Sequence, residues 1–425
     1  NNRRLSIACV QSERILNMRT SLAFVAVFIA AACCCAQEKT ADIEERIHRV
    51  ENSLVELKVF SVAEIFRAGR DEPAERKTLS ERMAHYKIPG VSIAVINDFR
   101  IEWAKVYGIK RAGSDEPVTT ETLFEAGSTT KFLTAVLTHR LIEQGLLNLD
   151  EDVNLRLKSW QIPESDFTRE SRVTLRLLLS HRAGISRPDG GFGYEDGSTP
   201  SLVQVLKGEA PATNKPAVVE FVPGSQHQYS NLGYLVIQQL IEEVTGRPYI
   251  ELVQEKIFDP VGMKSSTLEF PLSAEVDRIA ASPHDAEGKA YGHWLHPTAL
   301  AHGNLQSTPA ELALLSIELM RARRGESDRL LSQETVKRMF NAELNFDTDQ
   351  MLGFTGQGLG VFLIGEGENL YFSHPGHNEP GINCMLIACP ATGKGAVIMT
   401  NGAMGLFLAM DFLAALISEY NWLIL

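Results

Sequence analysis

The segment Phe124-Glu-Ala-Gly-Ser-Thr-Thr-Lys-Phe132 decides how the rest of the chain is interpreted, because it places Ser128 three residues before Lys131. If the segment is helical, positions i and i+3 share one face, and the Lys131 amine lies beside the Ser128 hydroxyl. An adjacent base is one way to activate a serine nucleophile. The same spacing also arises by chance, and Ser128 could instead serve only as the N-cap of a helix that ends at Gly145.

A second polar group is Tyr229-Ser230-Asn231, which precedes a predicted helix over 232–244. A tyrosine with positive neighbours that lower its pKa is a candidate proton shuttle. Asn231 can both donate to and accept from a substrate amide. The alternative is a tyrosine packed under a turn, with Ser230 or Asn231 capping the next helix.

A third group, His374-Pro375-Gly376-His377, ends a predicted strand. A glycine in such a place lets a backbone approach a ligand closely. The backbone N–H of His377 is therefore a candidate to pair with that of Ser128 as an oxyanion hole. The alternative is a strand-end turn that carries surface histidines.

Taken in order, the three groups resemble the motifs of the penicillin-recognising serine hydrolases. That superfamily holds class C β-lactamases, D-alanyl-D-alanine carboxypeptidases, D-aminopeptidases and related esterases. The resemblance extends over about residues 78–420. It also includes segments 88–95, 173–184, 223–234, 259–263 and 303–308, all in family order.

The resemblance implies a role for each matching residue. Ser128 would be the acylated nucleophile, and Lys131 would help to deprotonate it. Tyr229 would relay a proton to the leaving group and then activate water, while Asn231 would hold the amide side of the substrate. His374 stands where many members have a lysine, which implies a weaker and pH-dependent positive charge.

The implied function is that of an exported active-site serine hydrolase acting through an acyl-enzyme on a D-amino-acid peptide, an ester or a β-lactam. The Tyr-Ser-Asn and His motifs are closer to carboxypeptidases and D-peptidases than to β-lactamases. Pro375 departs from the family pattern, because it lacks an N–H to pair with substrate. A β-lactamase, a short-chain esterase and a penicillin-binding sensor without turnover remain as alternatives. The loops 186–228 and 264–300 are expected to decide among them.

The predicted fold is α/β (α+β) and β-lactamase-like, with one antiparallel sheet built from both termini, flanking helices and a mainly helical lobe. A helix over 78–87 precedes a hairpin of strands 91–96 and 100–107. The later predicted elements are strands at 359–364, 370–374, 381–389 and 395–400 and a closing helix at 403–420. The domain is placed at 78–425. Residues 78–120 and 350–425 form its α/β lobe and 121–349 its helical lobe, with the site in the groove between them.

The first 36 residues are predicted to be a signal peptide with upstream residues. Met18 and Arg19 precede the apolar run 22–32, which is short for a membrane span. Cleavage after Ala36 gives a periplasmic or secreted protein, whereas lipidation of Cys33 gives membrane attachment. A retained membrane anchor is the third option.

Residues 37–77 are predicted to be a spacer with an amphipathic helix over 38–60. Its apolar positions recur at helical spacing and are Ile43, Ile47, Val50, Leu54 and Leu57.

The composition of the chain limits which kinds of binding partner are expected. The formal net charge of −12 argues against nucleic acid and leaves a small-molecule or peptide substrate. No cofactor is predicted, since the chain has neither a nucleotide-binding glycine loop nor a G-x-S-x-G elbow. No metal site is predicted either, because the loose group His284, His293, His296 and His302 lacks paired ligand spacing.

Cys384 and Cys389 lie five apart in one predicted strand and should point to opposite faces, so no disulfide is expected between them.

Overall fold

The computed structural model describes residues 40–58, 61–68, 75–187, 192–195, 198–293, 295–347, 351 and 353–422. The chain divides into two units, Asn1–Glu51 and Asn52–Leu425. In the first unit residues 40–51 form helix α1, and the predicted signal segment lies outside the described residues. Among the helices of the described part, none combines the length and the apolar character that crossing a membrane requires.

Most of the strands of the second unit belong to one antiparallel sheet. The strands are β1 Gly90–Asn97, β2 Arg100–Gly108, β3 Phe124–Glu125, β4 Gln306–Ser307, β5 Leu344–Asn345, β6 Gly356–Gln357, β7 Phe362–Ile364, β8 Tyr371–Ser373, β9 Gly376–Asn378, β10 Ile382–Cys389 and β11 Lys394–Thr400. The main sheet has the order β2-β1-β11-β10-β8-β7-β6-β5, with β9 paired to β10, while β3 and β4 pair separately. The N-terminal hairpin therefore joins strands from the end of the chain, for example through Ile93 opposite Ile398. The predicted sheet of both termini is confirmed.

The helices of this unit enclose the sheet and form the lobe between its two halves. They are α2 Val62–Ala68, α3 Leu79–His85, α4 Thr130–Glu143, α5 Asp166–Glu170, α6 Leu175–Leu179, α7 Leu202–Lys207, α8 Asn231–Thr245, α9 Tyr249–Val253, α10 Asp259–Val261, α11 Ala274–Ile279, α12 Pro309–Arg324, α13 Gln333–Met339 and α14 Gly405–Tyr420. Helices α12 and α14 pack on the central strands. Every residue of β10 is buried, which explains why its sequence is a continuous apolar run instead of an alternating one.

Helix α4 is the central helix of the helical lobe. Its residues from Thr130 to His139 are all buried, and it packs against α8. Since even its polar residues are buried, the first turn of α4 lies in protein and not in water. This placement determines the electrostatics of Lys131.

The spacer prediction was wrong in its length. The helix ends at residue 51, and Leu54 instead exchanges backbone hydrogen bonds with Lys77 at 3.0 and 2.9 Å. The backbone N–H of Leu57 donates to the carboxylate of Asp411 at 2.8 Å. Leu54 and Leu57 are buried as predicted, but as part of an extended segment whose backbone is paired outside any helix.

Asp411 joins this extended segment to two helices. Its side chain is fully buried in α14, and besides the Leu57 N–H it accepts a hydrogen bond of 3.0 Å from the Tyr86 hydroxyl. The guanidinium of Arg82 in α3 lies 3.5 Å away and also contacts Glu56 at 3.1 Å. One carboxylate thus accepts hydrogen bonds from two buried donors in separate parts of the chain and lies beside a buried guanidinium.

We expect Asp411→Ala to lower the free energy of unfolding by about 3 kcal/mol, because it leaves a buried N–H and a hydroxyl without their acceptor and removes the carboxylate beside the buried Arg82 guanidinium. Tyr86→Phe, which removes one donor and leaves the others paired, should cost about 1 kcal/mol. Urea denaturation at pH 7 measures both. The matched control is Asp166→Ala, which alters an exposed aspartate of α5. A loss in Asp411→Ala no larger than in this control contradicts the structural role.

Candidate active site

Ser128 lies in a tight turn at the start of α4. The turn is a single 3₁₀ segment, Gly127–Thr129, and Ser128 itself is half-buried. Gly127 has φ of +51°, a conformation that glycine adopts without strain. Thr129, not Ser128, is the N-cap residue of α4, and its side chain accepts no hydrogen bond from a backbone N–H of the helix. The interpretation of Ser128 as a simple helix cap is therefore wrong, and its hydroxyl is available for another role.

The amine of Lys131 lies against that hydroxyl. Its Nζ is 3.2 Å from Oγ of Ser128 and donates to the backbone carbonyl of His302 at 2.7 Å. Lys131 is fully buried, and this burial holds the pKa of its amine well below the usual range, with the charge of Arg187 acting in the same direction. The amine is therefore uncharged far more readily than an ordinary lysine and can accept a proton.

The two threonines between Ser128 and Lys131 fix the turn to the rest of the fold. The Thr129 hydroxyl donates to the carbonyl of His374 at 2.9 Å, which ties the turn to the end of β8. The Thr130 hydroxyl donates to the Gly127 carbonyl at 2.7 Å and accepts from the Leu305 N–H at 3.0 Å. These contacts hold the turn from both lobes.

Strand β9 passes directly beside the Ser128 turn. A Cβ on Gly376 would lie 1.9 Å from the carbonyl oxygen of Ala126, so only glycine permits this approach. The backbone nitrogen of His377 lies 3.3 Å from the position of a Cβ on Gly127. The backbone of His377 thus lies beside the turn that carries Ser128, and an oxyanion hole formed by the N–H groups of these two residues stays a prediction.

Tyr229 covers the Ser128–Lys131 pair from the helical lobe. Its ring centroid is 4.9 Å from Nζ of Lys131 and 4.2 Å from the ring of His181. Burial raises the pKa of Tyr229 above its ordinary value, although Ser128 and the charge of Arg187 each act to lower it. The expected lowering of this pKa is therefore wrong. The hydroxyl stays protonated at neutral pH, which suits a proton donor and not a phenolate base.

Ser230 and Asn231, at the start of α8, make different contacts. The hydroxyl of Ser230 accepts from the Gly233 N–H at 3.0 Å and donates to the Ser186 carbonyl at 2.9 Å, so Ser230 is the helix cap. Its backbone N–H donates to Nδ1 of His181 at 3.2 Å. Asn231 is left with a buried Oδ1 that accepts no hydrogen bond within the described residues. That oxygen is available to a substrate N–H.

His374 lies at the third corner, and it differs from the prediction. Its ring is buried 6.5 Å from that of Tyr229, and its Nδ1 is 3.2 Å from the Pro375 carbonyl. Burial, assisted by the charge of Lys131, lowers the pKa of His374 to about 3. The ring is neutral at any ordinary pH, so the expected pH-dependent positive charge is wrong. A histidine can replace the lysine here as a polar group but not as a cation.

The histidines of the loose downstream group serve separate structural contacts. His284 accepts the Ala112 N–H at 2.9 Å and lies 2.8 Å from the Asn401 carbonyl. His293 pairs with the buried carboxylate of Glu125 at 2.8 Å. Within the described part of the chain, no three histidine, cysteine or carboxylate side chains converge as a metal site. Cys384 and Cys389 are both buried free thiols.

The structure therefore brings residues of all three motifs close together. Sequence reasoning missed the supporting residues Thr129, Thr130 and His181 and the carbonyl of His302. The available signal was the polar pair Thr129-Thr130 at the start of an otherwise apolar helix, where both hydroxyls need partners.

Known proteins share this architecture. The chain is 30% identical over 232 residues to an unguisins hydrolase of Aspergillus campestris. The aligned region covers 51% of this chain and 39% of that protein. It is 24% identical over 345 residues to penicillin-binding protein 4 of Amycolatopsis lactamdurans, with 80% of this chain and 87% of that protein covered. The structure of the octameric penicillin-binding protein homologue from Pyrococcus abyssi superposes with a TM-score of 0.64 at 25% identity, over 81% of this chain and 77% of that one.

The family comparison covers nearly the whole second unit. A sequence model of the family described as Beta-lactamase matches residues 76–417, a range that contains the turn of Ser128, the cap of α8 and strand β9. With the fold, the cleft and this match in agreement, the chain belongs to the beta-lactamase family, among the penicillin-recognising serine hydrolases.

Proposed function

We propose that this chain is a serine hydrolase that forms an acyl-enzyme on Ser128. Its proposed substrate is a D-amino-acid peptide or a related amide, ester or β-lactam. The observation that carries the proposal is the fully buried Lys131 amine 3.2 Å from the Ser128 hydroxyl. Burial of an amine is unfavourable for its charged form and serves no purpose in a merely structural lysine. It does serve a base, because the neutral amine can take the hydroxyl proton as Oγ attacks.

The acylation step uses the groups around this pair. Oγ of Ser128 attacks the substrate carbonyl carbon, and its proton passes to Nζ of Lys131. The carbonyl oxygen gains negative charge and is stabilised by the N–H groups of Ser128 and His377. The hydroxyl of Tyr229 then gives its proton to the leaving group as the scissile bond breaks, and it takes up in exchange the proton held by Nζ of Lys131.

Deacylation reverses these roles. A water molecule attacks the acyl carbon, and its proton passes to Nζ of Lys131. The bond between Oγ of Ser128 and the acyl carbon then breaks, the proton moves from Lys131 to Oγ, and the carboxylic acid leaves. The unpartnered Oδ1 of Asn231 supports an acyl donor that carries an amide N–H, as a peptide or an acylated amino acid does.

Export is a further part of the proposal. It rests on the apolar run 22–32 and the small residues that follow, with cleavage after Ala36 or lipidation of Cys33 as the two routes.

We expect Ser128→Ala to lower kcat/KM by a factor of about 10³ or more, because the nucleophile is lost while the fold stays intact. The measurement is hydrolysis of a panel of nitrocefin, p-nitrophenyl butyrate and a D-Ala-D-Ala peptide, with circular dichroism to check folding. The control is Ser225→Ala, since Ser225 is an exposed serine bonded only to the Val222 carbonyl in the described contacts. Undiminished hydrolysis by Ser128→Ala contradicts the assignment.

The same panel separates the alternatives. Preferred turnover of the peptide supports a D-peptidase, of the ester a short-chain esterase, and of nitrocefin a β-lactamase. A penicillin adduct on Ser128 that persists in intact-mass spectra, with no turnover of any substrate, identifies a sensor.

The pH dependence of the reaction follows from the buried His374. Since the pKa of His374 is lowered to about 3, its ring stays neutral and adds no ionisation between pH 5 and 9. Lys131 acts as a base only when deprotonated, so activity should fall on the acid side as the amine gains its proton. We therefore expect His374→Asn to lower kcat/KM without changing the shape of its pH profile. A step in the wild-type profile near pH 6–7 that disappears in His374→Asn would falsify this interpretation.

A further inference from the structure

We infer that Arg187 is a specificity-determining residue of this site and that it selects acyl donors with a carboxylate on the acyl side of the scissile bond. The inference rests on the proposed acyl-enzyme function and adds to it the chemical class of the acyl group. None of the three sequence motifs includes Arg187.

The backbone leading to Arg187 is fixed against the second motif. The preceding residue, Ser186, accepts a hydrogen bond at its carbonyl from the Ser230 hydroxyl at 2.9 Å. Ser186 is held in turn by Val218, through backbone and side-chain bonds of 2.8 and 3.2 Å. Arg187 is therefore one peptide unit from a contact with Ser230, the residue between Tyr229 and Asn231.

The Ser186–Ser230 contact places the backbone of Arg187 beside the start of α8, where Asn231 lies. The β9 backbone at Gly376 and His377 lies beside the Ser128 turn. If Asn231 receives the acyl-side amide of a bound substrate, the part of the acyl group beyond that amide extends toward Arg187.

The side chain of Arg187 is exposed and uncommitted. Within the described residues its guanidinium has no ion pair or hydrogen bond, whereas other arginines of the same segment are engaged. Arg176 pairs with Asp150 and Glu343, and Arg182 donates to the carbonyls of Glu343 and Gly224. A guanidinium without a protein partner is suited to bind a carboxylate through two parallel hydrogen bonds.

The positive charge of Arg187 acts on Lys131 and Tyr229. It lowers the pKa of both Lys131 and Tyr229, and it is the one permanently charged residue of the described chain that affects both. Burial lowers the pKa of both Lys131 and His374, so neither residue supplies a permanent positive charge. Arg187 is thus the lasting cation near the reaction centre, on a chain whose net charge is −12.

A pair of thioesters tests the inference directly. The thiobenzyl esters of N-propanoyl-D-alanine and N-succinyl-D-alanine share the leaving group, and they differ only in the carboxylate that replaces a terminal hydrogen beyond the acyl-side amide. Thiol release gives kcat/KM for the wild type, Arg187→Gln, Arg187→Lys and the control Arg169→Gln, which alters an exposed arginine of α5. Ser128→Ala is the blank.

For the wild type we expect the succinyl ester to be preferred by roughly five- to tenfold, in line with one charged contact at an exposed site. Arg187→Gln should bring the ratio to about one, chiefly through a higher KM for the succinyl ester. Arg187→Lys should keep part of the preference and Arg169→Gln all of it. The preference should also weaken as salt is raised.

Two results overturn the inference while leaving the proposed function intact. One is Ser128-dependent thiol release with equal kcat/KM for both esters. The other is an Arg187→Gln loss confined to D-Ala-D-Ala peptides, whose carboxylate is on the leaving group. Absence of Ser128-dependent release from either ester contradicts the proposed function, and the inference with it.

Discussion

The removal of the Lys131 amine from water is the constraint on which the site depends. Helix α4 is buried on all sides, so its first turn offers the amine no solvent, and the contacts of Nζ are a hydroxyl and a carbonyl. Neither partner compensates a full positive charge as a carboxylate would. The folded state therefore lowers the pKa of the amine before any substrate arrives.

The same burial sets the state of the residues around it. Tyr229 retains its proton and His374 remains uncharged because both are shielded from water, and for His374 the neighbouring lysine adds to the effect. The three groups thus divide into a proton acceptor, a proton donor and a neutral polar side chain. This division follows from where the core lies and not from pairing between opposite charges.

Much of this arrangement could be predicted from the sequence. The spacing of Ser128 and Lys131, the cap before α8 and the glycine of β9 are local signals, and the hydrophobic pattern at both chain ends predicted the sheet. The protonation states could not be predicted, because they depend on burial by residues far away in sequence. His374, for example, is enclosed by groups that include Tyr229 and Phe362. The spacer helix was extended too far for a similar reason, since the partner of the Leu57 N–H is Asp411, 354 residues later.

The order in which the sheet is assembled has a consequence for biosynthesis. The Ser128 turn is held by the carbonyl of His374, 245 residues downstream of Thr129, and β1 has β11 as its neighbour. Contacts of such long range form late in folding, because the loop they close must first be ordered. A ribosome-bound chain carries Ser128 and Lys131 long before strands β8 to β11 have been translated. Under the proposed function, the nascent polypeptide is inert toward acyl donors until its last segment has docked.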